Sequence, residues 1–503
     1  MGLRDFSLAD VIARNARLFP DRAAVVIGDR RVSNAAYRDR VVRLAAGLAR
    51  AGVSAGDRVA MLSHNNLEFV DVYGAMAWLG AILVPINWRL SADEIAYIVS
   101  DAAPKAVIAD QAHQEALIAA CSEIASIQLW IGVGGAIAPY RPIEEICGDG
   151  ETVPPAVAAS APFVMFHTAA VSGQPRGALL TQSGLIASSV QMINCWSLTE
   201  RDTALCVLPL FHLAGLTLLL GCQHAGGTAV ILPRFDAAEA VRAVRAEKVT
   251  VLSEFAPILG SMLDATKHPG DLASLRVVTG LDTPETIARF ERACPDARFW
   301  VAFGQSETSG LVTAAPFRDR PGSAGRPMFL SQVAVVDDLD RPVPAGETGE
   351  IVVRGPGVFE GYWNCPEDTK ATFRNGWHHT GDNGAFDADG YLFYKGRTPA
   401  KELIKPGGEN VYPAEVEAAL LGHPALLEAV VFGVPDAEWG EAVKAVCALK
   451  PGASATPKEI VDFVAGRIAR YKRPKHILLT ESLPKTAAGA IDRTRAKETF
   501  RDG

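Results

Sequence analysis

The chain predicts an α/β fold: a large N-terminal domain of mixed, largely parallel sheets with a β-rich subdomain, followed by a small α+β C-terminal domain. Three observations carry this. A length of 503 residues exceeds what one core holds and calls for two or more domains. The first half alternates helical and strand-like apolar patterns, the signature of parallel sheets with crossover helices. Beyond Ser331 the pattern changes to short strands and turns, and beyond Gly396-Arg397 it becomes a short α+β run.

In chain order, Ser33 stands where a side-chain cap is needed, before a helix with Tyr37, Val41, Leu44 and Leu48 on one face. Asp57 to Leu62 reads as a buried strand, followed by a helix through Val70 and Tyr73. Ala106 to Ala109 and Val249 to Leu252 are further short apolar strands. QVAVVDD and ETGEIVVRG, within Ser331 to Gly361, predict a β-rich subdomain. In the last unit Ala414 to Leu420 and Ile460 to Ile468 read as helices, and Ala429 to Gly433 and Val443 to Leu449 as strands. Repeats and low-complexity linkers are absent from the sequence.

Composition excludes several function classes. Apolar residues make up 49% and charged residues 21%, an ordinary globular balance. A net charge of -8 gives no basic footprint for nucleic acid. The richest apolar run, Leu216 to Leu220, is far short of a transmembrane segment. MGLRDFSLAD carries early acids and no signal-peptide apolar region, and Phe6 breaks the myristoylation pattern. The 8 cysteines form no CxxC pair, so reduced thiols and a cytoplasmic location are expected. The 10 histidines show no metal-ligand spacing, and the His378-His379 pair is expected to face solvent or pack at a loop.

Chemistry concentrates in a few segments. Thr168 to Gly177, TAAVSGQPRG, follows the strand-like PFVMF and is rich in small residues, which let backbone N–H groups close around phosphate. LPLFHLAGL places His212 in an apolar setting, and AFGQSE joins the aromatic Phe303 to Ser306 and Glu307. WHHTGDNGAFDADGYLFYKGR holds Asp382, able to accept two hydrogen bonds at once. GGENVYP begins at Gly407, YKRP spans Tyr471 to Pro474, and LPKTAAGAIDR spans Leu483 to Arg493.

Taken together, in this order and spacing, the segments resemble the adenylate-forming enzymes: acyl-CoA synthetases, firefly-type luciferases and peptide-synthetase adenylation domains. The likeness covers nearly the whole chain, and GGENVYP is nearest the acyl- and aryl-CoA synthetases. It implies a domain boundary between residues 401 and 402 and a mobile C-terminal domain. It also implies an ATP-dependent, AMP-forming acid–CoA ligase of fatty or aromatic acid metabolism, with ATP, Mg²⁺ and coenzyme A as partners of a small carboxylic acid. The alternatives are a stand-alone adenylation domain loading a carrier protein, for which Glu254 is a candidate amine-binding acid, and a nucleotide-binding pseudoenzyme. A homodimer is allowed but not specified.

The resemblance also assigns roles. Thr168, Ser172, Gly173, Arg176, Phe303, Ser306, Asp382 and Arg397 would bind the nucleotide, with Phe303 stacking on adenine and Asp382 accepting the ribose hydroxyls. Glu307 would hold Mg²⁺. The acyl pocket would involve His212, Leu213, Ala214, Phe255, Ala302, Gly304, Ser309 and Gly310, leaving room for an aryl, phenylpropanoid or medium-chain acid. Gly407, Gly408 and Glu409 would line the pantetheine tunnel. Two extra residues follow Arg397, so Glu402 aligns with the hinge acid and Lys401 is the alternative. Two departures stand out. The phosphate loop has Ala169, Ala170 and Val171 for hydroxyl or glycine residues, and Arg176 for lysine. Ala490 occupies the position of the family's catalytic lysine. The intact remainder of the site favours an engineered lysine-to-alanine replacement over a natural enzyme of reduced adenylation activity or a non-catalytic protein.

Overall fold

The computed structural model describes residues 5–148, 157–168, 174–397, 402–436, 439–486 and 491–501. It divides into two compact units. The first comprises Met1–Trp88, Val99–Thr168 and Arg176–Gly396, and the second Arg89–Ile98, Ala169–Pro175 and Arg397–Gly503.

Among the described residues the first unit holds an eight-stranded and a nine-stranded sheet. In the eight-stranded sheet, Arg58–Leu62 lies between Ile82–Ile86 and Ala106–Asp110, all parallel. Pro162–Thr168 pairs parallel with Ile82–Ile86 and antiparallel with Arg176–Thr181. The two strands flanking the glycine-rich loop therefore form a hairpin at one side of the sheet. The nine-stranded sheet has Val251–Phe255, Val277–Leu281 and Arg298–Gln305 in parallel succession, followed by the antiparallel Gly310–Pro316 and, at the edge, Arg326–Pro327. The central strands of the eight-stranded sheet are covered on both faces, so their side chains form long buried runs; Val59, Ala60, Met61 and Leu62 are all fully buried. The β-rich stretch folds as a sheet of Gln332–Val336, Gly349–Arg354, Phe373–Arg374, Trp377–Phe386 and Leu392–Arg397.

Local expectations translate into elements for stated reasons. Ser33 Oγ accepts from the Ala36 N–H and starts the helix Asn34–Arg50, a cap worth about 1 kcal/mol. That helix buries Tyr37, Val41, Leu44 and Leu48, its apolar stripe. The predicted helix through Val70 and Tyr73 runs Leu67–Leu79 and ends at Gly80, whose φ of 68° suits a residue without Cβ. One reading is corrected. His378 and His379 lie in the strand Trp377–Phe386, only 2% and 3% exposed, and neither faces solvent nor sits in a loop. Polar partners on a neighbouring strand and at the end of the helix Pro366–Thr372 make that burial tolerable: His379 Nδ1 lies 2.8 Å from Glu350 Oε2, and His378 Nδ1 lies 3.3 Å from the Thr372 hydroxyl.

The second unit contains an antiparallel pair, Leu426–Asp436 and Gly440–Leu449, with His476–Thr480 added in parallel. The helices Pro413–Leu421 and Pro457–Ala465 contribute Val416, Leu420, Ile460 and Val464 to its core. Thr456 and Glu459 form a capping box at the start of the latter helix.

Candidate active site

Asp382 is 2% exposed in the middle of its strand. The Tyr394 hydroxyl donates to its Oδ1 at 3.0 Å, and the Gln305 amide donates to its Oδ2. Gln305 also donates to the Thr380 carbonyl at 3.0 Å. A buried carboxylate is stable only with donors around it, and Tyr394 and Gln305 supply two neutral ones. The TGD turn supplies its own support, since the Asp382 N–H donates to Thr380 Oγ1 at 3.1 Å.

Glu307 follows from the short 3-10 turn Ser306–Thr308 at the end of the strand Arg298–Gln305. Its Oε1 accepts from Thr168 Oγ1 at 3.0 Å and from the Tyr362 hydroxyl at 2.9 Å. Thr168 ends the strand leading into the glycine-rich loop, so an acid and a hydroxyl 139 residues apart meet at the loop's entrance. Arg176, at the other end of the loop, stacks 4.0 Å above the Tyr362 ring and pairs with Asp368 at 2.9 Å. Its planar guanidinium can stack on the ring and pair with an acid together, which suits arginine better than lysine. Ser172 and Gly173 lie outside the described residues.

Phe303 is 9% exposed and packs with Val312, Val335, Ile351, Val353 and Leu392. The Tyr394 ring lies 6.2 Å from it, centroid to centroid. Ala302 and Gly304, its neighbours in the strand, are half-buried. Gly304 is required by close backbone approach, because a Cβ there would sit 2.1 Å from the Gly310 carbonyl oxygen. Ser309 is fully buried with φ of 53°, and its hydroxyl has no hydrogen-bond partner. Gly310 follows with φ of 116°. His212 precedes the helix Leu213–Ala225, and its ring is 4.5 Å from that of Phe211. Leu213 and Ala214 open that helix and are half-buried, as is Phe255 at the end of its strand.

Glu254, beside Phe255, is fully buried. Its Oε2 accepts a 3.4 Å bond from the Leu259 N–H, while Oε1 has no partner. Burial, and then the neighbouring Asp282 carboxylate, push its carboxyl up to about 9. The paired strand accommodates it with Gly280, where a Cβ would lie 1.8 Å from the Glu254 carbonyl oxygen.

In the second unit, Gly407 lies in the turn Pro406–Gly408 with φ of 59°. A Cβ there would be 2.7 Å from the Trp439 ring, so only glycine lets the indole lie against this backbone. The N–H of Glu409 closes the turn onto the Pro406 carbonyl at 3.2 Å. Glu402 accepts from Arg493 and from Lys497, each at 3.2 Å. Arg493 also donates to Glu417 at 2.6 Å and to the Val431 carbonyl at 2.9 Å. The motif arginine thus ties the start of the unit to its last helix. Arg397 ends the strand Leu392–Arg397. Lys401 and Ala490 lie outside the described residues.

Sequence reasoning did not single out Gln305, Tyr362 or Tyr394, the side chains that hold Asp382 and Glu307. Gln305 and Tyr394 stand inside the quoted motifs, but only the sheet pairing reveals which way they reach. No motif marks Tyr362.

The sequence pattern of the AMP-binding enzyme family matches residues 12–363, and that of the AMP-binding enzyme C-terminal domain matches residues 415–490. An indoleacetate–CoA ligase of Aromatoleum aromaticum is 35% identical, the match covering 96% of each chain. A Rhodopseudomonas palustris structure, provisionally assigned as a long-chain-fatty-acid CoA ligase, is 52% identical with a TM-score of 0.77, covering 79% of this chain and 100% of its own. An o-succinylbenzoate CoA synthetase of Bacillus subtilis, solved with a product analogue, is 29% identical with a TM-score of 0.86, covering 97% of this chain and 98% of its own. The chain belongs to the AMP-binding enzyme family, the adenylate-forming acyl- and aryl-CoA ligases. These three relatives are CoA ligases or CoA synthetases by name. Among the described residues no helix is long and apolar enough to cross a membrane.

Proposed function

We propose that this chain is an acid–CoA ligase for an aryl, phenylpropanoid or medium-chain carboxylic acid, and that its adenylation step is slowed by Ala490. The acid's carboxylate would attack the α-phosphate of ATP to give acyl-AMP and pyrophosphate; the CoA thiolate would then attack the acyl carbon and release AMP. The observation that carries this reading is the meeting of Glu307 with Thr168 and Tyr362 at the entrance of the glycine-rich loop. Carboxylate and hydroxyl oxygens are hard donors and suit Mg²⁺. Glu307 would hold the ion, which when bound offsets phosphate charge. Asp382 would take the ribose hydroxyls in exchange for its present bonds to Tyr394 and Gln305.

Two relatives act on aromatic acids by their names, indoleacetate and o-succinylbenzoate, which supports an aryl substrate. The carrier-loading alternative asks for an anion to meet an amine. Glu254 does not offer one as folded, since its carboxyl keeps its proton up to about 9.

Asp382→Ala is expected to weaken ATP or AMP binding by about 1 kcal/mol or more, the value of one or two hydrogen bonds. Titration calorimetry on both proteins measures it, and equal affinities would remove the ribose assignment. A pyrophosphate-release screen of carboxylic acids, followed by thioester detection with CoA or a carrier protein, tests substrate class and acceptor together. Glu402→Pro is expected to fix φ near the hinge and impair one half-reaction far more than the other. If single-turnover measurements show neither half-reaction changed, the rotation is elsewhere, with Lys401 the next residue to test.

A further inference from the structure

The loops that follow two adjacent parallel strands carry a cluster the ligase reading does not use. His64 follows the strand Arg58–Leu62, Asp110 ends Ala106–Asp110, and His113 precedes the helix Gln114–Cys121. His64 Nδ1 lies 3.0 Å from Asp110 Oδ2, and His113 Nδ1 lies 2.5 Å from Asp110 Oδ1. The two rings are 4.6 Å apart, and one ligand atom from each of the three residues lies within 4.8 Å of the others. Adjacent donors on a tetrahedral zinc ion with bonds of roughly 2.0–2.2 Å are roughly 3.3 Å apart. The two imidazole–carboxylate spacings are already at or below that value, and closing the remaining separation from at most 4.8 Å takes rotamer-scale movement of the two rings.

We propose that His64, Asp110 and His113 form a binding site for a borderline transition-metal dication such as Zn²⁺, restrained by Arg234. Two imidazoles and a carboxylate suit such an ion and not Mg²⁺. Asp110 is already oriented, since the His64 N–H donates to its Oδ2 at 2.9 Å and the Ser63 hydroxyl lies 3.3 Å from the same oxygen. The three side chains are 12–14% exposed, which leaves a path for an ion and for a water as fourth ligand.

Arg234 supplies the distinguishing observation. Its guanidinium lies 2.8 Å from His64 Nε2. In that arrangement Nδ1–H of His64 donates to Asp110, and Nε2 accepts from Arg234. To bind a metal through Nδ1, the neutral ring must carry its proton on Nε2 instead, with no net gain or loss of protons. That N–H then confronts the guanidinium, whose charge also repels the dication. Arg234 has to withdraw before the site closes, so removing it strengthens metal binding. A carboxylate merely pinning two loops together predicts no such gain.

The test uses the full chain, stripped with chelator and titrated with Zn²⁺ without ATP, which would compete for metal. The expected result is one zinc per chain, undisplaced by millimolar Mg²⁺. Affinity should fall at least about tenfold in His113→Ala and rise about tenfold in Arg234→Gln, whose amide oxygen can accept from Nε2–H. His113→Gln, which keeps a polar partner for Asp110, guards against a folding defect, and circular dichroism checks each variant. Co²⁺ substitution should give the visible bands of a nitrogen and oxygen site. The proposal is overturned by zinc binding that His113→Ala and His113→Gln leave unchanged, by failure of Arg234→Gln to tighten binding, by thiolate charge-transfer bands from cysteine, or by no binding at 100-micromolar zinc on the order of ordinary surface affinity.

Discussion

Ala490→Lys is expected to raise ATP-dependent thioester formation by about 10² or more, the usual worth of a single transition-state donor. Conversion of chemically synthesised acyl-AMP plus CoA should change little. A lysine there would bridge the acid's carboxylate and the phosphate, orienting the nucleophile and offsetting developing charge; a methyl group does neither. Lys485, near in sequence, matches a different family position and is paired with Glu428. Both rates should be measured on both proteins with the best acid from the screen. Rescue of neither rate, with no acyl-AMP consumed, would point to a protein that binds nucleotide without ligase chemistry.

Glu254→Gln is expected to stabilise the fold at neutral and alkaline pH. The unfolded chain releases this proton near the ordinary value of 4.5, whereas the folded chain keeps it up to about 9. Below that window both states are protonated and the group has no effect. As pH rises through it, the unfolded state binds fewer protons, and stability falls. Each pH unit corresponds to about 1.4 kcal/mol, so the amide, with nothing to ionise, should gain up to a few kcal/mol by pH 7 to 8. Denaturant unfolding of both proteins at pH 4, 6 and 8 checks this; parallel stability curves would mean that the Glu254 carboxyl is not held neutral. A second readout is its carboxyl stretch in the infrared at pH 7.

Much of the architecture was legible because it rests on local rules. The cap at Ser33, the apolar stripe of its helix, and the strands around Val59 and Val107 follow from spacing alone. The change to short strands and turns after Ser331 was equally plain, and the fold pairs those strands antiparallel. The His378-His379 pair was misread because polar residues in sequence suggest exposure, whereas the strand between Gly349–Arg354 and Phe373–Arg374 buries both rings within reach of Thr372 and Glu350. Arg176 was read as a phosphate-facing cation; the fold also supplies Tyr362 and Asp368 as its neighbours.

The sequence by itself determined the α/β order of elements and the family, because both depend on residue identity and short-range periodicity. Only the tertiary structure decided which side chains meet. Thr168 reaches Glu307 across 139 residues, Gln305 reaches Asp382 across 77, and His64 reaches Asp110 across 46. Each of these pairs is set by strand order, register and the turns at strand ends. Those long-range choices also push the Glu254 carboxyl upward, since a carboxyl's protonation depends on the solvent and charges that the folded chain leaves around it.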